Sequence, residues 1–318
     1  MASIGDRTGY GMAGDRPTRH FLEIDDVTPT ELVAILDASL ASREQVLSGR
    51  GVALIFEKPS LRTRNSSEMA VVQLGGHPVY IASDEIALDQ REKTEDAIRV
   101  LEGYFDIICA RVFSHLQVER MASVASVPIV NLLSDSGHPV QALADLLTIR
   151  SHFGSIEGQR LAWVGDFSNV AMSLSIGFGM LGGSTMLCCP PGYGPTDAHV
   201  DRLRLACTST ATVDVVERPT VAVAAATVVS TDAWYSMGQE SEKDQRRRAF
   251  EGFCVTESLM STASPEAVFL HCLPAHRGEE VTDAVIDGPR SLVIAQAHNR
   301  MHTMRGLFLW LHRQGALR

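Results

Sequence analysis

Short apolar runs alternate with amphipathic stretches along most of the chain. Gly51–Phe56, Pro78–Ala82, Asp106–Ala110 and Pro128–Leu132 are compact runs rich in Val, Ile and Leu, a pattern that predicts strands. Around them, Thr28–Leu40, Arg62–Leu74, Glu92–Tyr104 and Leu116–Ala125 read as helices. A helix opening at His138-Pro139 follows, and then the alternation restarts. Arg160–Val164, Thr185–Cys189, Thr212–Val216, Thr227–Thr231 and Val268–Leu270 read as strands, with helices over Asn169–Leu181 and Asp197–Cys207 between them. Such alternation predicts an α/β fold of two doubly wound parallel-sheet domains joined by interdomain helices. The boundary falls near residue 150, dividing the chain into 1–150 and 151–298. Asn299–Arg313 carries Met301, Met304, Leu307, Phe308 and Leu311 at helical spacing and reads as a closing helix. Met1–Pro17, polar and glycine-rich, reads as a disordered extension. Pro219–Ala226 is an unusual apolar run, and the charged run Glu240–Arg248 reads as solvated surface.

Composition narrows the function classes. The 318 residues are 45% hydrophobic and 21% charged, ordinary values for a globular chain with a sizeable core. A net charge of −10 argues against a nucleic-acid binder, which carries a basic surface. Lys58, Lys93 and Lys243 are the only lysines, so arginine supplies nearly all cationic contacts. Coding bias explains that bulk count; local placement decides any anion site. The six cysteines contain no Cys-x-x-Cys pair, which fits reduced thiols in a cytosol. No apolar run reaches the roughly 20 residues that span a bilayer.

Candidate chemistry sits where strands end, which is where open α/β sheets bind ligands. Cys272 follows strand Val268–Leu270, with Pro274 stiffening the turn. Such a thiol faces a substrate or serves as a small buried hydrophobe. Ser60 leaves strand Gly51–Phe56 as a good helix N-cap, and the free N–H groups behind it form an anion site that Arg62, Thr63 and Arg64 reinforce. The bland reading is an ordinary capped helix with solvated arginines. Arg111, ending strand Asp106–Ala110, is placed as a second clamp on the same crevice. His138 and Gln141 stand three apart and share a helix face. Leu161–Asp166 followed by Phe167-Ser168-Asn169 is similar to the start of a nucleotide-binding unit, but Gly165 alone is a poor dinucleotide fingerprint. Asp232 ends strand Val228–Thr231, where a carboxylate can pair with an ammonium group.

The wording of these segments goes further. His271-Cys272-Leu273-Pro274-Ala275-His276-Arg277-Gly278-Glu279-Glu280-Val281-Thr282-Asp283 closely resembles the signature of ornithine carbamoyltransferases, within the aspartate/ornithine carbamoyltransferase superfamily. Ser60-Leu61-Arg62-Thr63-Arg64, His138-Pro139-Val140-Gln141, Asp232 through Glu240 and Asn299-Arg300-Met301-His302 resemble four further family motifs, in family order. The resemblance implies carbamoyl transfer from carbamoyl phosphate to the Nδ of L-ornithine, giving L-citrulline. It implies carbamoyl-phosphate contacts from Ser60, Leu61, Arg62, Thr63, Arg111, His138, Gln141, Cys272, Leu273 and Arg300, the catalytic ones being Arg111, His138, Cys272 and Arg300. Asn169, Asp232, Ser236 and Met237 would hold ornithine. By the same resemblance 1–150 binds carbamoyl phosphate, 151–298 binds ornithine, and helix 299–313 packs back onto the first domain. No metal or organic cofactor is expected. The expected assembly is a trimer or multiple of trimers in the cytoplasm, without nucleic-acid or membrane partners.

Three departures from the family pattern stand out. Ser67 replaces a common aromatic residue, and Ser168 replaces the first of two asparagines. In Asp84–Arg91, which in the family reaches into a neighbouring subunit's site, Ala87 replaces the usual Gln, leaving Gln90 or Arg91 for that contact. Sister transferases using N-acetylornithine, putrescine or aspartate are the rival readings. More distant rivals are a nucleotide-binding oxidoreductase and a non-catalytic homologue.

Overall fold

The computed structural model describes residues 18–41, 43–235 and 240–317. The segment expected to be a disordered extension, Met1–Pro17, and the ornithine-site candidates Ser236 and Met237 lie outside them. Among the described residues, nine strands form two parallel sheets. The first comprises β1 (Gly51–Phe56), β2 (His77–Ala82), β3 (Ile107–Arg111) and β4 (Ile129–Leu133), in the order β2-β1-β3-β4. The second comprises β5 (Arg160–Val164), β6 (Ser184–Cys188), β7 (Val213–Val216), β8 (Val228–Thr231) and β9 (Val268–His271), in the order β7-β6-β5-β8-β9.

Both faces of each sheet are covered, which is why the strands read as near-continuous apolar runs. Val52, Leu54 and Phe56 enter one core; Ala53 and Ile55 enter the opposite one. The second sheet divides likewise, with Leu161, Trp163 and Val228 on one side and Ala162, Val164 and Val229 on the other. The inner core runs continuously between the domains through helices Pro139–Phe153 and Asn169–Met180, which are buried over Pro139–Ile149 and Val170–Met180. Helices buried all round belong in such a core.

The topology reverses at two places. The chain goes from β1 outward to β2, then returns to the other side of β1 as β3. Likewise β6 and β7 lie on one side of β5, and β8 and β9 on the other. Each reversal opens a crevice at the carboxyl ends of the flanking strands, the ligand position of open α/β sheets.

Some boundaries differ from expectation. The closing helix begins at Val293 rather than Asn299, because Leu292 provides no side-chain cap to mark the start. Pro219–Val223 in the unusual apolar run is a short helix, and Ser83–Ile86 forms another in the loop before Arg91. The run Glu240–Arg248 is not simply solvated surface. Lys243–Ala249 is helical, and Arg246 is buried against Asp166 (2.9 Å), Glu242 (2.9 Å) and the Trp234 carbonyl (2.8 Å).

Helix Val293–Arg313 packs against helices Pro29–Leu40, Leu61–Gln73 and Pro139–Phe153. Gly306 lets it approach the first of these. A Cβ there would stand 2.4 Å from the Ile35 carbonyl oxygen and 2.8 Å from the Ser39 nitrogen, both backbone atoms that cannot swing aside. Gly306→Ala gains about 1 kcal/mol of helix propensity but adds overpacking of about 1–3 kcal/mol, and this severe clash belongs at the upper end. The expected result in differential scanning calorimetry is a melting temperature lower by roughly 5 °C. An unchanged or higher melting temperature would show that the interface has slack.

Candidate active site

One wall is built where β1 and β3 end. Ser60 caps helix Leu61–Gln73: its Oγ accepts from the Thr63 N–H at 3.3 Å and donates to Thr63 Oγ1 at 3.0 Å. Arg111, the last residue of β3, reaches the same hydroxyl from Nη1 at 3.4 Å. Arg300, delivered by helix Val293–Arg313, donates to it from Nη2 at 2.8 Å. The Thr63 hydroxyl oxygen, with two lone pairs, is thus surrounded by three potential donors. Arg62 lines the same space.

Among the described residues, no carboxylate is in ion-pair contact with Arg62, Arg111 or Arg300, and the Nε atoms of the last two are buried without partners. Burial, reinforced by neighbouring guanidinium groups, pulls Arg111 and Arg300 down to about 10. Burial also lowers Arg62, and burial together with Arg111 lowers Lys58. Cations crowded in this way, at a helix N-terminus, raise one another's energy until an anion enters. Arg64 is turned elsewhere: it pairs with Glu68 at 2.8 Å and lies over the Tyr80 ring.

His138 precedes helix Pro139–Phe153, and its backbone N–H donates to Ser173 Oγ at 2.9 Å. Burial first, then Arg300, Arg111 and Lys58, drives its imidazole well below the usual range, so the ring is neutral. Its Nδ1 is buried without a partner. Gln141 donates from Nε2 to Asp145 Oδ1 at 2.7 Å, while its Oε1 accepts from Arg300 Nη1. A carboxylate only accepts and a guanidinium only donates, so the two fix the amide's orientation. Asp145 also accepts from Gln296 Nε2 at 2.6 Å; burial nevertheless raises its carboxyl to about 6.

The facing wall comes from the crevice between β5 and β8. Ser168 caps helix Asn169–Met180, and its Oγ donates to Asp232 Oδ2 at 3.2 Å across that crevice. Asp232 Oδ1 accepts from the Ala233 N–H at 2.8 Å and from Cys272 Sγ at 3.2 Å. Burial, then Asp232, pushes the Cys272 thiol well above its usual range, so it stays protonated. A thiol held protonated is a poor nucleophile. Asn169 Nδ2 donates to the Ser134 carbonyl at 2.6 Å. Asp232, His271 and Cys272 place potential ligand atoms within 4.8 Å of one another, but both His271 ring nitrogens already have protein partners.

Between the walls lies a cavity of about 620 Å³, of a size for small ligands. Ser60, Leu61, Arg62, Thr63, Arg111, His138, Gln141, Asn169, Asp232, Cys272, Leu273 and Arg300 all line it. Gln90 and Arg91 do not; both are exposed on their loop. The cavity also includes Lys58, Tyr235, Lys243, His276 and Glu279, which the sequence did not single out. Lys58 had one signal, its rarity beside Ser60. The Tyr235–His276 stack, with ring centroids 4.8 Å apart, is a contact between distant segments that no local pattern announces.

Two family models match most of the chain. Residues 19–151 match the family model described as the carbamoyl-P binding domain of aspartate/ornithine carbamoyltransferase, and residues 157–311 match the model of its Asp/Orn binding domain. The ornithine carbamoyltransferase of Acidothermus cellulolyticus is 47% identical over 300 residues, covering 92% of this chain and 96% of that protein. The solved ornithine carbamoyltransferase from Pyrococcus furiosus superposes with a TM-score of 0.88 at 41% identity, covering 92% of this chain and 96% of the other. A solved N-acetyl-L-ornithine transcarbamylase mutant, complexed with PALAO, is similar at a TM-score of 0.83 and 30% identity, covering 91% and 98%.

Proposed function

The chain belongs to the aspartate/ornithine carbamoyltransferase family, and we propose from that premise how the cleft residues divide the chemistry. The enzyme transfers the carbamoyl group of carbamoyl phosphate to the Nδ of L-ornithine, forming L-citrulline and phosphate. The observation that carries our assignment is the set of three guanidinium groups, without carboxylate partners among the described residues, that line the cleft beside Thr63 at a helix N-terminus. Ser60, Arg62, Thr63, Arg111 and the Leu61 N–H hold the phosphate end, matching its charge with donors already in place. The Thr63 hydroxyl, Arg111, Arg300 and neutral His138 converge on the carbamoyl oxygen, where negative charge builds as nitrogen attacks. Gln141 Oε1, fixed as an acceptor, receives the carbamoyl NH₂, with Leu273 and Cys272 closing that side.

On the facing wall Asp232 takes the α-ammonium and Asn169 the carboxylate of ornithine, with Ser236 and Met237 completing the amino-acid contact. Cys272 orients and electrostatically tunes the region of Nδ. Attack requires that nitrogen to lose a proton from a lysine-like ammonium, which the cationic, partly desolvated cleft favours. Domain 1–150 is assigned to carbamoyl phosphate and 151–298 to ornithine, with the closing helix supplying Arg300 to the first. We place the reaction in cytoplasmic arginine biosynthesis. No helix of the described residues is long and apolar enough to cross a membrane.

A trimer is proposed as the working assembly, with Gln90 or Arg91 reaching the neighbouring cleft. Leu61, Met69 and Val72 lie exposed on helix Leu61–Gln73, and Phe113 and Leu116 are exposed nearby in sequence to Arg111; such apolar surface favours a partner. Sedimentation equilibrium should give about three times the 34.5 kDa chain mass; a monomer at assay concentration contradicts the assembly. The reaction is tested by following carbamoyl phosphate and ornithine with purified enzyme. Citrulline and phosphate should appear in equal amounts. Phosphate release without citrulline would reject transfer in favour of hydrolysis.

A further inference from the structure

A carboxylate that touches no ligand position is buried behind the cleft. The Glu280 side chain is 0% exposed and has no lysine or arginine partner among the described residues. Burying such a charge is costly and is poor evidence for a stabilising role. Its contacts all lead to one turn. Glu280 Oε1 lies 3.2 Å from His271 Nε2 and accepts from the His276 N–H at 2.6 Å. His271, also 0% exposed in its side chain, accepts at Nδ1 from the Leu273 N–H at 2.9 Å. The ring proton therefore sits on Nε2 and points at Glu280. Its backbone N–H is held separately by Gln296 Oε1 at 3.0 Å.

The residue clamped at the end of this chain is strained. Leu273 has φ +59, a left-handed conformation that a branched side chain rarely adopts. Such conformations persist where the surroundings over-determine them. Cys272 and Leu273, the turn in question, both line the cavity, and Cys272 Sγ meets Asp232 Oδ1. We infer that Glu280 is a positioning residue for carbamoyl transfer, holding the His271 tautomer whose Nδ1 fixes the Cys272-Leu273 turn against the reacting groups. The inference rests on the proposed carbamoyl-transfer site. It adds a residue that would act on the reaction through His271 and the His276 backbone, without lining the cavity itself.

Three variants separate this role from charge and from simple support of the fold. Glu280→Gln keeps an acceptor oxygen for His271 Nε2–H and the His276 N–H, so kcat should stay within about threefold of wild type. Glu280→Leu removes the acceptor, and Glu280→Asp withdraws it by one methylene while keeping the charge. Both should lower kcat by about thirtyfold or more, the scale of a lost buried hydrogen bond that aligns reacting groups. Inorganic phosphate, as a competitive inhibitor against carbamoyl phosphate, should bind all three within about threefold of wild type, because the arginine wall does not depend on the turn. Recovery of kcat by Gln with phosphate affinity intact supports positioning. The idea is overturned if Gln is as impaired as Leu, if Asp keeps wild-type kcat, or if kcat and phosphate affinity fall together. Should the Leu variant not fold, the Asp and Gln pair decides alone. Wild-type citrulline formation, measured alongside, reports separately on the parent assignment of the site.

Discussion

Arg111→Ala is expected to lower kcat/KM for carbamoyl phosphate by about a hundredfold or more while leaving the fold intact. Two opposing consequences follow from its surroundings. Arg111 is 8% exposed, bonds Thr63 Oγ1 and has no carboxylate partner among the described residues. Within the protein it is a buried cation pressed by Arg62 and Arg300, held down to about 10 mainly by burial. Removing it should cost little folding stability and relieve repulsion. With substrate bound the balance reverses. On the proposed assignment the guanidinium then meets both the phosphate and the developing carbamoyl oxyanion, and losing such a charge-assisted contact costs about 3 kcal/mol in the transition state. That energy corresponds to roughly two orders of magnitude in rate. Initial rates at subsaturating carbamoyl phosphate, with a thermal melt, measure both sides. Near wild-type activity in a folded variant would remove Arg111 from the site.

Asp232→Asn tests the facing wall. The Asp232 carboxylate accepts from Ser168 Oγ, the Ala233 N–H and Cys272 Sγ. An asparagine keeps one acceptor oxygen but must turn an NH₂ toward one of these donors, and it removes the charge proposed to pair with the α-ammonium. Loss of a buried charged partner costs about 2–4 kcal/mol, so kcat/KM for ornithine should fall by about a hundredfold. The apparent affinity for carbamoyl phosphate should change by less than about threefold, because the arginine wall is built from other elements. Parallel losses for both substrates would show that Asp232 supports the whole cleft rather than one ligand.

Much of this arrangement was legible because it is local. Ser60 caps a helix directly after a strand, Arg111 and Asp232 stand at strand ends, and Cys272 follows the last strand, so each was placed from its own neighbourhood. Parallel strands buried on both faces left unbroken apolar runs that were easy to find. What escaped depends on partners far along the chain. Arg246 looked like part of a solvated charge run; its partner Asp166 lies 80 positions away. Gln296 appeared in no motif, yet it joins Asp145 to the His271 backbone. The sequence carries no start signal for the closing helix, because its first turn, Val293-Ile294-Ala295, follows Leu292 without a capping side chain. Asp145 stands four residues after Gln141 on one helix, but only the fold shows its oxygen shared by two amides.

Selectivity for free ornithine follows from one cleft that pairs the arginine wall with the proposed amino-acid wall. Putrescine lacks the carboxylate assigned to Asn169, and N-acetylornithine lacks the charged α-ammonium assigned to Asp232. Each missing partner leaves a polar group unsatisfied at about 1–3 kcal/mol, or roughly tenfold to a few hundredfold in specificity. The most direct measurement is kcat/KM for ornithine, putrescine, N-acetylornithine and aspartate under one set of conditions. Ornithine should lead each of the others by at least about tenfold. A higher value for any of the other three would contradict the amino-acid half of the account while leaving the arginine wall standing.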